Sequence, residues 1–135
     1  MEKTPKEFKL KLFEKITESQ LKSAYYFLSL TATILGYIIF LYKNINNSLN
    51  WEKYLYFIPF IALGLSFYFG FKYITERTNI LRANFEMFNE TSMNAIENYG
   101  KFMENKSDSI AKYAVRQIIF FSIGIFSIFI LIILF

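Results

Sequence analysis

Charged and uncharged residues alternate along this chain in long blocks. Residues 23–42, 54–71 and 117–135 contain no Asp, Glu, Lys or Arg, and they measure 20, 18 and 19 residues. A helix of ~20 apolar residues crosses a hydrocarbon core of ~30 Å, so the pattern predicts three transmembrane helices. As a soluble core, three such helices would need far more polar chain to cover them. Between and before them lie a basic leader (residues 1–22), a short loop (43–53) and a polar stretch of 45 residues (72–116). The expected fold is all-α: a polytopic membrane protein with three transmembrane helices, an N-terminal amphipathic helix, and a long cytoplasmic helix between spans two and three.

The polar stretch carries its own pattern. Ile74, Thr78, Leu81, Phe85, Phe88, Ser92, Ala95, Tyr99 and Phe102 recur at alternating steps of four and three. That is a heptad seam of about four repeats, the mark of a helix packed lengthwise on another helix. Length constrains how it stands. A straight helix over residues 72–103 would reach ~48 Å, while a helical return through residues 104–116 covers only about 20 Å. Either the helix lies along the membrane, with its apolar face against the N-terminal helix or a neighbouring copy, or it breaks into a hairpin. Residues 89–94 and Gly100 with residues 105–109 are the break candidates. Asn105-Lys106-Ser107-Asp108-Ser109 is the richest in turn formers and places the main turn near residues 104–108.

In the leader, Thr4-Pro5-Lys6-Glu7 has an N-cap threonine, a first-turn proline and a glutamate three residues after the cap. Phe8, Leu12, Phe13 and Ile16 then share a face, with Lys6, Lys9, Lys11 and Lys15 mostly on others. Such a helix suits the headgroup level of a bilayer, or packs on the chain's own polar stretch. Neither the length of the charged leader nor the residues after the first span fit a cleaved signal peptide. Tyr25, Tyr26 and Tyr42 bracket the first span, and Trp51 anchors the loop, as interfacial aromatics do. Asn46-Asn47-Ser48 fits a glycosylation acceptor, a pattern common by chance in Asn-rich sequence. Pro59 falls where the first turns of a helix tolerate it. The third span ends on Phe135, which puts the terminal carboxylate at the far interface.

Lys and Arg set the expected orientation. Six lie in residues 1–22, two in residues 43–53 and seven in residues 72–116. By the positive-inside rule the N-terminus and the polar stretch are cytoplasmic, and the short loop and C-terminus external. The net charge of +4 reads as topology information, with no nucleic-acid footprint. Heavy use of Phe, Ile, Lys and Asn suggests an AT-rich genome.

The chain has no Cys and no His. Thiolate nucleophiles, imidazole bases and the usual zinc or haem ligands are therefore absent. The spans hold no charged residue of the kind that marks an ion or proton pathway. Glu76, Glu86, Glu90, Glu97 and Glu104 share their stretch with Lys and Arg and read as a solvated face. No glycine-rich phosphate loop is found. The expected catalytic, cofactor and metal residues are thus none, and the expected partners are the bilayer and either a second copy or another protein at residues 72–103. Within the spans, Ala32 and Gly36, and Ala62, Ser66 and Gly70, recur every four residues, which allows close helix approach within or between subunits. Ser29, Thr31, Thr33, Ser66, Ser122 and Ser127 could form a polar seam, though such hydroxyls more often bond their own backbone.

Two spans joined by a short loop, preceded by a basic helix and followed by a long polar one, resemble the SLATT-type effectors of prokaryotic nucleotide-triggered defence systems. The local likeness lies in Phe71-Lys72-Tyr73-Ile74-Thr75-Glu76-Arg77 and the helix over residues 81–88, within residues 5–103. The third span falls outside it. The resemblance implies an oligomer that disrupts the membrane when a partner signals, and it carries over no ligand residue. The expected function is a non-enzymatic oligomerising membrane effector or pore-type subunit in the cell membrane. The alternative is an accessory, anchoring or immunity-type protein whose cytoplasmic helix docks a partner.

Overall fold

The computed structural model describes residues 5–44 and 50–134, apart from the side chains of residues 5, 6, 44, 50–52 and 88. Four helices follow one another: α1 (Pro5–Asn44), α2 (Asn50–Leu55), α3 (Phe57–Asn89) and α4 (Met93–Leu134). The described residues are almost wholly helical, and α1, α3 and α4 are long and apolar enough to cross a membrane. Thr4 and the Asn46-Asn47-Ser48 triplet lie outside the described residues, as do the side chains of Trp51 and Phe88. The second apolar run is shared between two helices, since α2 ends at Leu55 and α3 begins at Phe57. Pro59 sits in the first turn of α3, where its missing N–H leaves no helical bond unmade.

Each long helix runs from an apolar half into a polar half without interruption. α1 joins the basic leader to the first apolar run in 40 residues. Its polar part packs on the chain's own polar stretch: Thr17 is buried, and Arg77 donates to the side chain of Gln20.

The turn falls elsewhere than turn composition suggests. α4 is continuous through residues 104–108 and through Gly100, so the expected main turn near 104–108 is corrected to residues 90–92, inside the other break candidate at residues 89–94. Glu90 adopts an extended conformation (φ −89, ψ 138). Its carboxylate accepts from the amides of Thr91 at 3.1 Å and Ser92 at 3.3 Å, while the Ser92 carbonyl accepts from Ile96 at 3.0 Å. Glu90 thus holds the two turn amides that precede α4, and its negative charge lies before the positive end of the α4 dipole. Asn105, Ser107 and Asp108 face solvent on α4, and Lys106 pairs with Glu76 of α3 at 2.9 Å. Packing against α3 overrides the turn composition.

This position of the turn resolves the length constraint. The polar half of α3 (residues 72–89) is ~27 Å long and that of α4 (93–116) ~36 Å, at 1.5 Å per residue. The two arms form an antiparallel hairpin continuous with the apolar halves. The polar part of α1, residues 5–22, has the same ~27 Å reach.

The buried positions repeat every seven residues. On α1, Leu10 is half-buried and Thr17, Ala24, Thr31 and Ile38 are buried. On α4, Ile96 and Met103 are half-buried, and Ile110, Gln117, Gly124 and Leu131 are buried. A seven-residue period keeps one face of each helix towards its neighbours along its whole length. The packed face of α3 runs Leu63, Ser66, Gly70, Tyr73, Arg77, Ile80, Asn84 and Met87, all buried or half-buried, with buried Ala62, Ile74 and Ala83 beside it.

That register lies one residue earlier than the seam read from the polar stretch alone. Of the expected seam, Ile74 is buried, Leu81, Ala95 and Tyr99 are half-buried, and Thr78, Phe85, Ser92 and Phe102 are exposed. The physical reason is continuity. α3 is one helix, and its phase is set where Ser66 and Gly70 admit close approach; seven-residue steps from those two reach Tyr73, Ile80 and Met87, and Arg77 and Asn84. Arg77 is tolerated there because its stem packs while its guanidinium reaches Gln20.

Candidate functional site

The apolar half is tied together at one polar cluster. Ser66 Oγ donates to the backbone carbonyl of Gln117 at 2.9 Å, a buried bond between α3 and α4. The Gln117 side chain fills the space that Gly70 leaves. A Cβ at residue 70 would overlap Gln117 Nε2 and stand 2.8 Å from its Cδ and 3.0 Å from Leu28 Cδ1 of α1. Three helices meet here, and Gln117 Nε2 has no hydrogen-bond partner among the described residues. Farther along, a Cβ at Gly124 would lie 2.6 Å from Leu63 Cγ, and Leu63 is fully buried.

The expected close-packing residues divide accordingly. Ala62, Ser66 and Gly70 are buried in the bundle. Ala32 and Gly36 are exposed, and a Cβ at Gly36 would meet nothing within 4 Å. Their four-residue spacing is the same, but they lie off the face that carries Thr31 and Ile38. The hydroxyls follow the expected local pattern at Thr31, Thr33 and Ser127, each bonding the carbonyl four residues before it. Ser66 is the exception that crosses between helices. Gln117, Gly124, Leu63 and Thr17 were not singled out from sequence. The available signal was the seven-residue repeat Thr17, Ala24, Thr31, Ile38, which a search confined to the polar stretch misses.

Removing the unsatisfied amide should be harmless. Gln117→Met keeps the backbone carbonyl that Ser66 needs and removes a buried donor without a partner. The expected thermal midpoint in detergent is equal to or above that of the parent. Ser66→Ala should lose about 0.6–1 kcal/mol, the usual worth of such a bond between membrane helices.

Where apolar and polar halves join, Phe69 of α3 stacks on Phe120 with centroids 5.6 Å apart. The Arg116 guanidinium lies over the same Phe69 ring at 5.5 Å. In the polar half, polar side chains join the helices. Besides the Glu76–Lys106 pair, Tyr99 donates to the Glu86 carboxylate at 3.2 Å. That bond and the carboxylate charge hold the phenol above its ordinary range.

Two clefts open in this region. One, of about 540 Å³, lies on the α3–α4 hairpin among Asn79, Arg82, Glu86, Asn98, Tyr99 and Phe102. The other, of about 570 Å³, lies between all three helices, among Lys9, Phe13, Arg77, Asn84, Met103 and Ser107. Around them, large apolar side chains stand uncovered on the polar halves: Phe8 (63% exposed), Leu12 and Ile16 on α1, Phe85 (69%) on α3 and Phe102 (40%) on α4. No grouping of acidic residues able to hold a metal ion occurs among the described residues.

Fold and site together define a helical bundle with three helices long and apolar enough to span a membrane, each extended by a polar arm. No family model, curated protein or solved structure matches the chain.

Proposed function

We propose that this is a non-enzymatic, multi-pass protein of the cell membrane that works by assembly, as an oligomerising effector or pore-type subunit. In this reading the N-terminus and the polar hairpin are cytoplasmic and the C-terminus is external. The observation that carries it is the uncovered apolar surface on the polar halves, with Phe85 and Phe8 more than half exposed. Apolar surface left in water outside the bilayer marks a contact with protein or membrane. The interior supports the same reading. Leu63, Thr31 and Ser66 are fully buried on the axis of the apolar half, so one copy is packed shut and a conducting path would need several. The resemblance to SLATT-type effectors points the same way.

The second reading, a partner-docking anchor or immunity-type protein, is favoured by the cleft on the hairpin, where Arg82, Glu86 and Tyr99 offer both charges and an aromatic wall. Controlled overproduction separates the two. A membrane effector should depolarise or arrest cells, and the purified protein should run as an oligomer in native-lipid nanodiscs. Harmless overproduction of a strictly monomeric protein would sink the first reading in favour of the second.

A further inference from the structure

The cleft between the three polar arms differs in kind from the one on the hairpin. Among the described residues its wall carries two cations, Lys9 and Arg77, and no carboxylate. Glu76, the acid next to Arg77 in the chain, is engaged by Lys106 at 2.9 Å. Arg77 has a donor to spare: its Nη2 donates to Gln20, while its buried Nε has no partner among the described residues. A buried guanidinium N–H without an acceptor costs more than an ordinary unmade hydrogen bond. Asn84 and Ser107 add neutral donors to the wall, and Phe13 and Met103 add apolar surface. The volume of about 570 Å³ falls within the usual ~300–1,000 Å³ of small-molecule sites.

We infer that this cleft binds a small water-soluble organic anion, a phosphate or carboxylate head on an apolar or aromatic body. The head pairs with Arg77 and Lys9, and the body lies on Phe13 and Met103. Guanidinium suits such a head because its planar fork matches two acceptor oxygens. A lipid headgroup carries the same chemistry. Position favours the soluble source, because Lys9 lies 14 residues, or ~21 Å of helix, from the first apolar run. Since its wall comes from α1 and from both arms of the hairpin, an occupant would fix α1 against the hairpin. The site is independent of the assembly proposed above and rests only on the polar arms standing outside the bilayer.

The test uses the full chain in phosphatidylcholine nanodiscs, with 2-naphthyl phosphate as probe and empty nanodiscs as blank. Saturable binding of one probe per copy is expected, with inorganic phosphate competing only weakly. Arg77→Gln should weaken binding about tenfold or more, the worth of a charge-assisted hydrogen bond. Lys9→Gln, at an exposed helix position that leaves the fold intact, should weaken it several-fold. Arg82→Gln, in the other cleft, should leave it unchanged, and so should Phe85→Asp whether or not that variant still assembles. No saturable binding, equal loss with Arg82→Gln, or no change with Lys9→Gln would overturn the inference. Loss of probe binding when phosphatidylglycerol is added would assign the cleft to a lipid headgroup and overturn the soluble-anion form.

Discussion

Gly124→Val is expected to loosen the α3–α4 contact more than any other glycine substitution in the chain. The new Cβ would fall 2.6 Å from Leu63 Cγ and 2.7 Å from Leu63 Cδ2. Leu63 is fully buried, so it cannot swing away without displacing its own neighbours. Overpacking of this kind typically costs ~1–3 kcal/mol in a well-packed interior. Thermal unfolding in mild detergent, followed by size-exclusion chromatography, should show a clearly lowered midpoint. Gly36→Val and Gly64→Val are the matched controls, because a Cβ at either meets nothing within 4 Å. If all three variants melt alike, the α3–α4 packing described here is wrong. Gly70→Ala should fall between, since the atoms that it meets belong to the Gln117 side chain and to the tip of Leu28.

The second large effect concerns the two faces of α3 in the polar half. Ile80 is buried and Phe85 is 69% exposed. Ile80→Ala removes buried apolar bulk from between the helices and should cost about 2 kcal/mol or more. Phe85→Asp should leave stability within about 0.5 kcal/mol, as surface substitutions usually do, while weakening assembly. Melting curves together with copy number per nanodisc separate the two outcomes. A seam centred on Leu81 and Phe85 would reverse them, with Phe85→Asp unfolding the protein and Ile80→Ala leaving its stability unchanged.

The three long apolar helices were legible because freedom from charge over 18 residues or more is a strong and purely compositional signal. The packing register was not. Phe85 looks like a better core residue than Asn84, and only the close approach at Ser66 and Gly70, carried along one continuous helix, selects Asn84. The turn was misplaced for a related reason. Asn105-Lys106-Ser107-Asp108 is turn-like locally, but Lys106 is drawn to Glu76. At residues 90–92, within the other break candidate over residues 89–94, the Glu90 carboxylate holds the turn by accepting from the amides of Thr91 and Ser92. The small residues were found where they pack, at Ala62, Ser66 and Gly70. Spacing alone could not tell them from Ala32 and Gly36, which lie on an uncovered face. The cleft at Arg77 was illegible altogether, because its wall joins residues from three separate arms.

The depth of the hairpin tip tests this architecture most directly. The chain has no cysteine, so Thr91→Cys in the turn between α3 and α4 can carry a single spin label without altering any other residue. In liposomes the label should lie well clear of the headgroups, roughly 27 Å from the apolar boundary by the length of the α3 polar arm. It should then collide freely with a water-soluble relaxation agent and hardly at all with oxygen dissolved in the bilayer. A label at headgroup depth, shielded from the water-soluble agent, would mean that residues 72–116 lie along the membrane. The upright three-armed head, and the surfaces assigned to it, would then be wrong.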